Sequence, residues 1–281
     1  MTVQPQQEPQ KASRAGRNLP AAITVGILLG GILVVGLFYA PLVLVSFAAL
    51  AAAVGTWEVC QALNHKRGMG VPTLPALISA ALLPFAAYYA GGQGLIVALT
   101  ASILLLMGWR MTGPKDGMIM SIMGSIFVMS WVPLLLSLAA LLYREEGGAG
   151  KVVMILLMAI GNDTWGYIAG VLWGKTPMAP RISPKKTWEG FAGSMLGSIA
   201  LGIACSLFLG DPWWYGLIVA VFLVIASTAG DLSESMVKRE IGIKDMSHIL
   251  PGHGGVMDRL DSIVFAIAIG YVIFSLLEAI F

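Results

Sequence analysis

A segment in the last quarter of the chain combines acidic and hydroxyl side chains at spacings that suit phosphate and metal chemistry. Asp231 and Ser235 are four residues apart, so in a helix over 231–240 they share one face, with Lys238 close by. Carboxylates are ligands that Mg²⁺ prefers, and a lysine ammonium binds phosphate. The spacing predicts a polar site on this helix, although an acid in a first helical turn also serves to start the helix.

A second polar group completes this segment, which extends to Asp261. Asp258 and Asp261 are three residues apart and share a face if a helix starts there. His253, Gly254 and Gly255 form a glycine-rich bend whose backbone N–H groups can hold phosphate. The basic residues of the segment are Lys238, Arg239, Lys244 and Arg259. Each part alone also fits a helix start, a local salt bridge or a flexible turn, but together they indicate a site for a divalent cation and phosphate.

A shorter polar segment, residues 175–189, has the composition of an anion site. Ser183 followed by Pro184 has the form of a helix N-cap with proline at the first helical position. A helix start with adjacent lysines binds phosphate through free N–H groups, the helix dipole and the ammonium charges together. The residues that would form this site are Arg181, Ser183, Lys185, Lys186 and Thr187. Lys185 and Lys186 would serve equally well as anchors on the positive side of a membrane, so both interpretations stay open.

Asp163 and Glu58 are acidic residues inside otherwise apolar stretches. A carboxylate at the centre of a membrane span costs about 2.5–3.5 kcal/mol, so Asp163 should face the protein interior or a water-filled cavity. For Glu58, near the inner end of a predicted span, we expect a side chain that reaches the interface or pairs with Lys66 or Arg67.

The elements that must position these residues are membrane-spanning helices. Of the 281 residues, 57% are apolar and 11% are charged, against about 25% charged residues in soluble domains. This excludes a soluble globular enzyme and predicts an all-α polytopic membrane protein. Uncharged stretches long enough for spans of about 20 residues predict nine transmembrane helices, with divisions at Pro41 and at Gly91–Gly92. Residues 190–210 are rich in glycine and serine, which predicts close helix packing.

The distribution of lysine and arginine orients these helices. With the N-terminus in the cytoplasm, all but two of the 17 basic residues fall in cytoplasmic segments, and only Arg144 and Lys151 fall outside. This predicts an external C-terminus and places the loops 175–189 and 231–261 on the cytoplasmic face. The predicted divisions of the chain are a disordered cytoplasmic tail over 1–18, helices 1–5 over 19–150, and helices 6–9 with both polar loops over 151–281.

The polar loops contain long matches to a known signature. The matching positions run Ser235-x-Val237-Lys238-Arg239, Lys244-Asp245-x-Ser247, Leu250-Pro251-x-His253-Gly254-Gly255-Val256 and Asp258-Arg259-Leu260-Asp261. This run resembles the signature of the phosphatidate cytidylyltransferase (CDP-diacylglycerol synthase) family. Asn162-Asp163-Thr164 and Ser183-Pro184-Lys185-Lys186-Thr187-x-Glu189-Gly190 are also similar to that family, so the resemblance covers roughly residues 160–265. Trp165 departs from the family pattern, where a small residue usually follows the Asp-Thr pair.

The resemblance implies a reaction in which CTP and phosphatidate give CDP-diacylglycerol and diphosphate, with Mg²⁺ required and a second cation left open. It implies that Asp231 and Asp258 are metal ligands and that the candidate catalytic groups are Asp231, Asp258, Asp261 and Lys244. The residues that it assigns to substrate binding are Asp163, Arg181, Ser183, Lys185, Lys186, Thr187, Ser235, Lys238, Arg239, His253, Gly254, Gly255 and Arg259.

The substrates implied by the resemblance also set an expected location. Phosphatidate stays in the bilayer and CTP arrives from the cytosol, so we expect a plasma-membrane enzyme whose active site lies at the inner leaflet. No nucleic-acid partner is expected, and a homodimer is left open. A cytidylyltransferase for another lipid phosphate is the main alternative. A membrane transporter has less support, because its polar residues would follow a path across the bilayer, whereas these charges gather at one face.

Overall fold

The computed structural model describes residues 19–250 and 254–281, almost entirely as helices. The predicted tail over residues 1–18 lies outside the described residues, as does His253. In chain order the elements are α1 (Leu19–Phe38), α2 (Pro41–Arg67), α3 (Thr73–Met111), α4 (Met118–Trp131), α5 (Pro133–Tyr143), α6 (Gly148–Trp173), β1 (Pro177–Ala179), β2 (Ser183–Thr187), α7 (Trp188–Leu209), α8 (Trp213–Ile241) and α9 (Met257–Ile280).

Seven helical segments of the described chain are long and apolar enough to cross a membrane. Helices α4 and α5 together form one of them, Met118–Tyr143, with proline at the first position of α5. Large apolar side chains such as Leu82 and Ile96 are exposed on the outside of the bundle, as expected for helices that contact lipid. The structure confirms an all-α architecture with several candidate membrane spans, while the count of nine spans and the sides of the termini stay predictions.

Helix α3 is a helical hairpin, although its 39 residues form one continuous element. Gly91 has φ 66° and ψ −156°, a conformation that only glycine adopts without strain. A Cβ atom on Gly94 would lie 2.7 Å from the carbonyl oxygen of Ala86, whereas a straight helix separates such residues by about 12 Å. The chain therefore reverses direction at Gly91, where the sequence predicted a division between two spans.

Helices α6 and α7 pack with their backbones in close contact. A Cβ atom on Gly193 would lie 2.2 Å from the Cβ atom of Ala169, and one on Gly190 would lie 2.9 Å from the carbonyl oxygen of Gly166. The Ser194 hydroxyl donates a hydrogen bond to the carbonyl oxygen of Asn162 at 2.6 Å. The small residues predicted to favour close packing do so, and they bring Asn162 and its neighbours against the start of α7.

The connection between α6 and α7 is a β-hairpin, so the prediction that Ser183 caps a helix with Pro184 at its first position is wrong. Strand β2 runs antiparallel to β1, with Ala179 opposite Ser183. A residue that precedes proline avoids the helical region of φ and ψ, which favours extended backbone at Ser183. Helix α7 is instead capped by Thr187, whose hydroxyl accepts a hydrogen bond from the Gly190 N–H at 3.1 Å.

Helix α8 continues well beyond residue 230, so the predicted polar loop over 231–261 is shorter than expected. The residues between α8 and α9 are 242–256, and α8 ends at Gly242 in the left-handed conformation. The predicted helical face is confirmed, because the Ser235 hydroxyl donates to Asp231 Oδ1 at 3.3 Å. Most of the acids of this segment are thereby fixed on two rigid helices rather than on a loop.

Candidate active site

A cavity of about 310 Å³ lies between α6, α7, α8 and the β-hairpin. Its polar lining includes five side chains that the sequence assigned to the site: Asp163, Lys185, Lys186, Thr187 and Asp231. Asp163 lines this cavity, as expected for an acid within an apolar helix, and its side chain remains exposed. The other lining residues are Asn162, Gly166, Tyr167, Met178, Gly190, Phe191, Ser194 and Thr228.

An ion pair across the cavity joins the β-hairpin to α8. Lys186 Nζ lies 2.6 Å from Asp231 Oδ2, and about a quarter of each side chain is exposed. Asp231 Oδ1 accepts the Ser235 hydroxyl, so both oxygens of this carboxylate have a protein partner. A partly hydrated pair of this kind is worth little as a stabilising contact, which leaves the lysine able to exchange its partner for an incoming phosphate.

Three carboxylates from three helices act on one another electrostatically in this region. Asp231 on α8 lies near enough to Asp163 on α6 and to Asp261 on α9 for their like charges to interact. Lys186 and Arg259 attract Asp163 and offset part of this repulsion. Like charges that are held together on rigid helices favour the binding of a cation between them.

Lys238 forms a second, more enclosed ion-pair group with two acids. Its Nζ lies 2.5 Å from Glu234 Oε2, one turn earlier on α8, and 2.8 Å from Asp258 Oδ1 on α9. The Glu234 side chain is fully buried, and its Oε1 has no hydrogen-bond partner among the described residues. The sequence assigned Lys238 to substrate binding, but the structure places it as a bridge between α8 and α9.

Asp258 holds the connection that precedes its own helix. Its Oδ2 accepts hydrogen bonds from the Met246 N–H at 3.0 Å and the Gly255 N–H at 2.9 Å, in addition to the Lys238 contact at Oδ1. Gly254 has φ +83° and pairs with Leu250 in an antiparallel bridge. Gly254 and Gly255 thus form a tight return of the chain, as their types suggested.

Several other predicted site residues lie away from the cavity lining. Arg181 is exposed in the turn of the β-hairpin, and Lys244 is exposed in the connection after α8. Arg239 donates from Nε to the carbonyl oxygen of Ile182 at 3.3 Å, so it holds the hairpin against α8. Ser183 pairs within the hairpin. The structure brings none of these four residues into the wall of the cavity.

The structure also adds residues that sequence reasoning missed. Asn162 is buried and donates to Asp163 Oδ1 at 3.3 Å, and its own Oδ1 accepts the Thr228 hydroxyl at 3.5 Å. Glu189 accepts the N–H groups of Lys175 and Thr176, which folds the hairpin onto α7. In the sequence, only the position of Asn162 and Glu189 within the matched motifs could have indicated that they belong to the site.

Glu58 contradicts its expected role. Its side chain is fully buried rather than interfacial, and it contacts the start of α9 instead of Lys66 or Arg67. Arg67 forms its ion pair with Glu240 at 3.2 Å. A single acid in an apolar helix gave no indication of a partner so distant in sequence.

A divalent cation here would need ligands beyond the described carboxylates, from substrate or water. Within the described residues, no three or more His, Cys, Asp or Glu side chains converge as a ready set of metal ligands. Asp231 and Asp258 each hold a lysine ammonium at 2.6 Å and 2.8 Å, so each favours a cation as its neighbour. Mg²⁺ typically binds one or two carboxylates and completes its shell with water and substrate phosphates, which is the arrangement this donor set permits.

The fold and the cavity together define a class of protein: a polytopic helical membrane protein whose polar site combines lysines with carboxylates between helix ends, as polyanionic substrates require. The chain belongs to the cytidylyltransferase family, whose model matches residues 20–277.

Curated relatives match nearly the full chain. It is 38% identical over 288 residues to the phosphatidate cytidylyltransferase of Mycobacterium leprae, with 96% of this chain and 92% of that protein covered. It is 40% identical over 286 residues to the enzyme of that name from Mycobacterium bovis, covering 97% and 93%. A phosphatidate cytidylyltransferase of Pseudomonas aeruginosa is 33% identical over 266 residues, covering 90% and 94%.

Proposed function

We propose that this protein transfers the cytidylyl group of CTP to phosphatidate, giving CDP-diacylglycerol and diphosphate. The observation that carries the assignment is the cavity in which Lys186, Asp231 and Asp163 meet, in a chain of the cytidylyltransferase family. Relatives named phosphatidate cytidylyltransferase align over nearly the whole chain, so both the site-bearing helices and the N-terminal helices fall within the likeness.

The chemistry requires charge neutralisation more than proton transfer. An oxygen of the phosphatidate phosphate attacks the α-phosphorus of CTP, and the bond from that phosphorus to the oxygen bridging the β-phosphate breaks. The attacking phosphate monoester has a second pKa of about 6, so at neutral pH it is already largely ionised and needs no strong general base. The barrier is mainly electrostatic, because two polyanions must approach and diphosphate must leave.

Positive side chains around the cavity supply part of this neutralisation. Lys185 and Lys186 line the cavity on the hairpin side, and Arg259 attracts Asp163 from α9. In the resting site Lys186 is held by Asp231, so it is positioned before substrate arrives. Lys238 acts differently, because its two carboxylate partners hold it between α8 and α9.

Mg²⁺ is the cofactor that we assign to this reaction, with Asp231 and Asp258 as its protein ligands and Asp261 as a nearby support. When bound, the ion would neutralise charge on the α-phosphate and on the diphosphate leaving group. The mutual repulsion of Asp163, Asp231 and Asp261 supports a cation in this region. For Asp258 to act as a ligand, one of its contacts with Lys238, Met246 or Gly255 must give way.

We place the site at the inner leaflet of the plasma membrane, with the hairpin and the 242–256 connection in the cytoplasm. The excess of Lys and Arg in these segments supports this orientation. Beside the lysines, the cavity wall contains apolar side chains from α6, α7 and the hairpin: Tyr167, Phe191 and Met178. A wall that is charged at one part and apolar at another suits an anionic lipid that remains in the bilayer. A homodimer is a further hypothesis, which light scattering of the detergent-solubilised protein tests.

The decisive experiment follows label from CTP into lipid. Purified protein in detergent with phosphatidate and Mg²⁺ should transfer ³²P from the α-position of CTP, but not from the γ-position, into the lipid phase. EDTA should abolish the transfer, and Mg²⁺ in excess should restore it. Transfer that persists in EDTA would remove the metal from the mechanism.

The same assay separates the alternatives. Labelling of another lipid phosphate, such as a polyprenyl phosphate, without labelling of phosphatidate would retain the cytidylyl transfer but change the acceptor. If folded protein labels no lipid phosphate at all, the result would contradict cytidylyl transfer and favour the transporter hypothesis.

A further inference from the structure

Glu58 is a buried carboxylate from the N-terminal half of the chain that accepts hydrogen bonds from the segment before α9 and from the start of α9. Its side chain has no exposed surface. Oε1 accepts hydrogen bonds from the Ser247 hydroxyl and from the Val256 N–H at 2.8 Å, and Oε2 accepts the Met257 N–H at 2.7 Å. Burying a carboxylate is costly unless hydrogen bonds compensate it, and these three donors provide the compensation.

These contacts make Glu58 the N-terminal cap of a helix to which it does not belong. The residue in the N-cap position of α9 is Val256, whose side chain offers no acceptor. The first N–H groups of a helix need partners, and Glu58 accepts two of them, at Val256 and Met257. A carboxylate at this position is also favoured by the dipole of α9.

Glu58 works together with Asp258 on the same stretch of backbone. Asp258 Oδ2 accepts the Gly255 N–H, so the N–H groups of residues 255, 256 and 257 are all bound by these two acids. Earlier in the connection the pattern repeats, because Met246 donates to Asp258 and Ser247 donates to Glu58. A Cβ atom on Gly255 would lie 2.8 Å from Glu58 Oε1 and 2.9 Å from Asp258 Oδ2, so any larger residue would displace the two carboxylates.

We propose that Glu58 is a positioning residue for cytidylyl transfer: it caps α9 and fastens the 246–257 segment, and thereby sets the direction in which Asp258, Arg259 and Asp261 leave the start of α9. This inference rests on the proposed function, because the three residues that it positions belong to the proposed active site. It also makes α2 part of the catalytic unit rather than a membrane anchor for α6–α9. A second link supports this, since Arg67 at the end of α2 bonds the backbone oxygen of Glu240 at the end of α8.

The test compares Glu58→Gln with Thr56→Val in the full-length protein in detergent. Glutamine keeps the volume of Glu58 but replaces one acceptor oxygen by an NH₂ group, which opposes an N–H donor of α9. Thr56 is equally buried on the same helix, and its hydroxyl has no hydrogen-bond partner in the described structure, so valine controls for a change within α2.

Two readouts separate positioning from general stability. Because a misplacement of about 1 Å costs about a hundredfold in rate, Glu58→Gln should lower kcat between about tenfold and a hundredfold. The KM for CTP should stay within about twofold of wild type, since the hairpin side of the cavity, which carries Lys185 and Lys186, is untouched. Amide hydrogen exchange in peptides covering residues 254–262 should accelerate about tenfold, while peptides from the hairpin 175–189 should be unchanged. Thr56→Val should alter neither readout.

Three outcomes would overturn the assignment. These are wild-type kcat in Glu58→Gln, unchanged exchange at residues 254–262, and exchange that accelerates equally throughout the chain, which would make Glu58 a residue of general stability. If Glu58→Gln cannot be purified, Ser247→Ala tests the same proposal. This variant removes one of the three hydrogen-bond donors to Glu58 and keeps the Glu58 carboxylate. It should lower kcat about threefold and accelerate the same peptides, and unchanged values of both would overturn the assignment equally. The exchange measurement uses no substrate, so it stands whether or not wild-type protein labels phosphatidate.

Discussion

The two lysine-centred ion pairs of the site have similar lengths but opposite surroundings. Lys186 meets Asp231 at 2.6 Å across a cavity, and about a quarter of each side chain is exposed. Lys238 meets Asp258 at 2.8 Å between two helices, together with the fully buried Glu234. We call Lys186–Asp231 the open pair and Lys238 with Glu234 and Asp258 the closed group. In the open pair, Lys186 can exchange Asp231 for a phosphate at small cost, whereas separating the closed group leaves buried charge without compensation. Similar residue types therefore form a partly hydrated ion pair at one place and an enclosed link between two helices at the other.

The largest effect is expected at Asp231, the acid of the open pair. Asp231→Asn removes the negative charge that holds Lys186 and that is the proposed metal ligand, so turnover should be abolished. The initial rate of α-label transfer measures this effect. Asp116→Asn, in the exposed connection before α4, is the matched control and should keep wild-type activity. Activity of Asp231→Asn within about threefold of wild type would remove Asp231 from the metal role.

Asp258 gives the most direct test of the proposed metal pair. Asp258→Asn should also abolish turnover at normal expression, because it weakens both the Lys238 contact and the proposed metal ligation. Activity within about threefold of wild type would remove Asp258 from the role of ligand and leave it as a residue that folds the 246–255 connection.

Removing the lysine of the closed group should destabilise the protein more than removing the lysine of the open pair. Lys238→Met leaves Glu234 and Asp258 without their ammonium partner, and the loss of one partner of a buried ion pair costs about 3 kcal/mol. Lys186→Met should cost under about 1 kcal/mol because its pair is partly hydrated. Thermal unfolding of both variants in detergent checks this order. Equal Tm values would mean that the two pairs do not differ as their burial suggests.

Substitutions in the open pair should affect substrate affinity. Lys186→Gln should raise the KM for CTP about tenfold, since a charge-assisted phosphate contact is lost. Replacing Lys185 and Lys186 together by glutamine distinguishes their two interpretations. If both lysines are only topology anchors, the KM for CTP will not change in the double variant.

The smallest effect is expected at Arg239, which lies outside the cavity wall. Arg239→Ala removes the contact that holds the hairpin against α8 at Ile182, so the KM for CTP should rise about twofold while kcat is kept. Arg110→Ala, whose bonds lie within its own turn at Pro114 and Asp116, should leave both constants unchanged. A large loss of kcat in Arg239→Ala would indicate direct contact with substrate.

The sequence predicted the helical elements well where its patterns are local. Hydropathy indicated the helices, Gly91 marked the reversal within α3, and the spacing of Asp231 and Ser235 indicated their common face. The helix start at Ser183 was wrong because a serine before proline fits a helix N-cap and a strand equally well: both require extended backbone at the serine. The strand pairing with β1 decided between them.

The sequence by itself determined that the chain is an apolar helical protein whose acidic and basic residues are concentrated in two segments, and it carried the motifs of the family. These properties depend on composition, period and short-range spacing. Only the tertiary structure decided which lysine meets which acid, and that Glu58, 199 residues before Met257 in the chain, caps α9. Such pairings depend on how helices pack. These pairings affect stability because the acids are buried: a carboxylate that water would hydrate on the surface needs hydrogen-bond donors from the protein when it is inside.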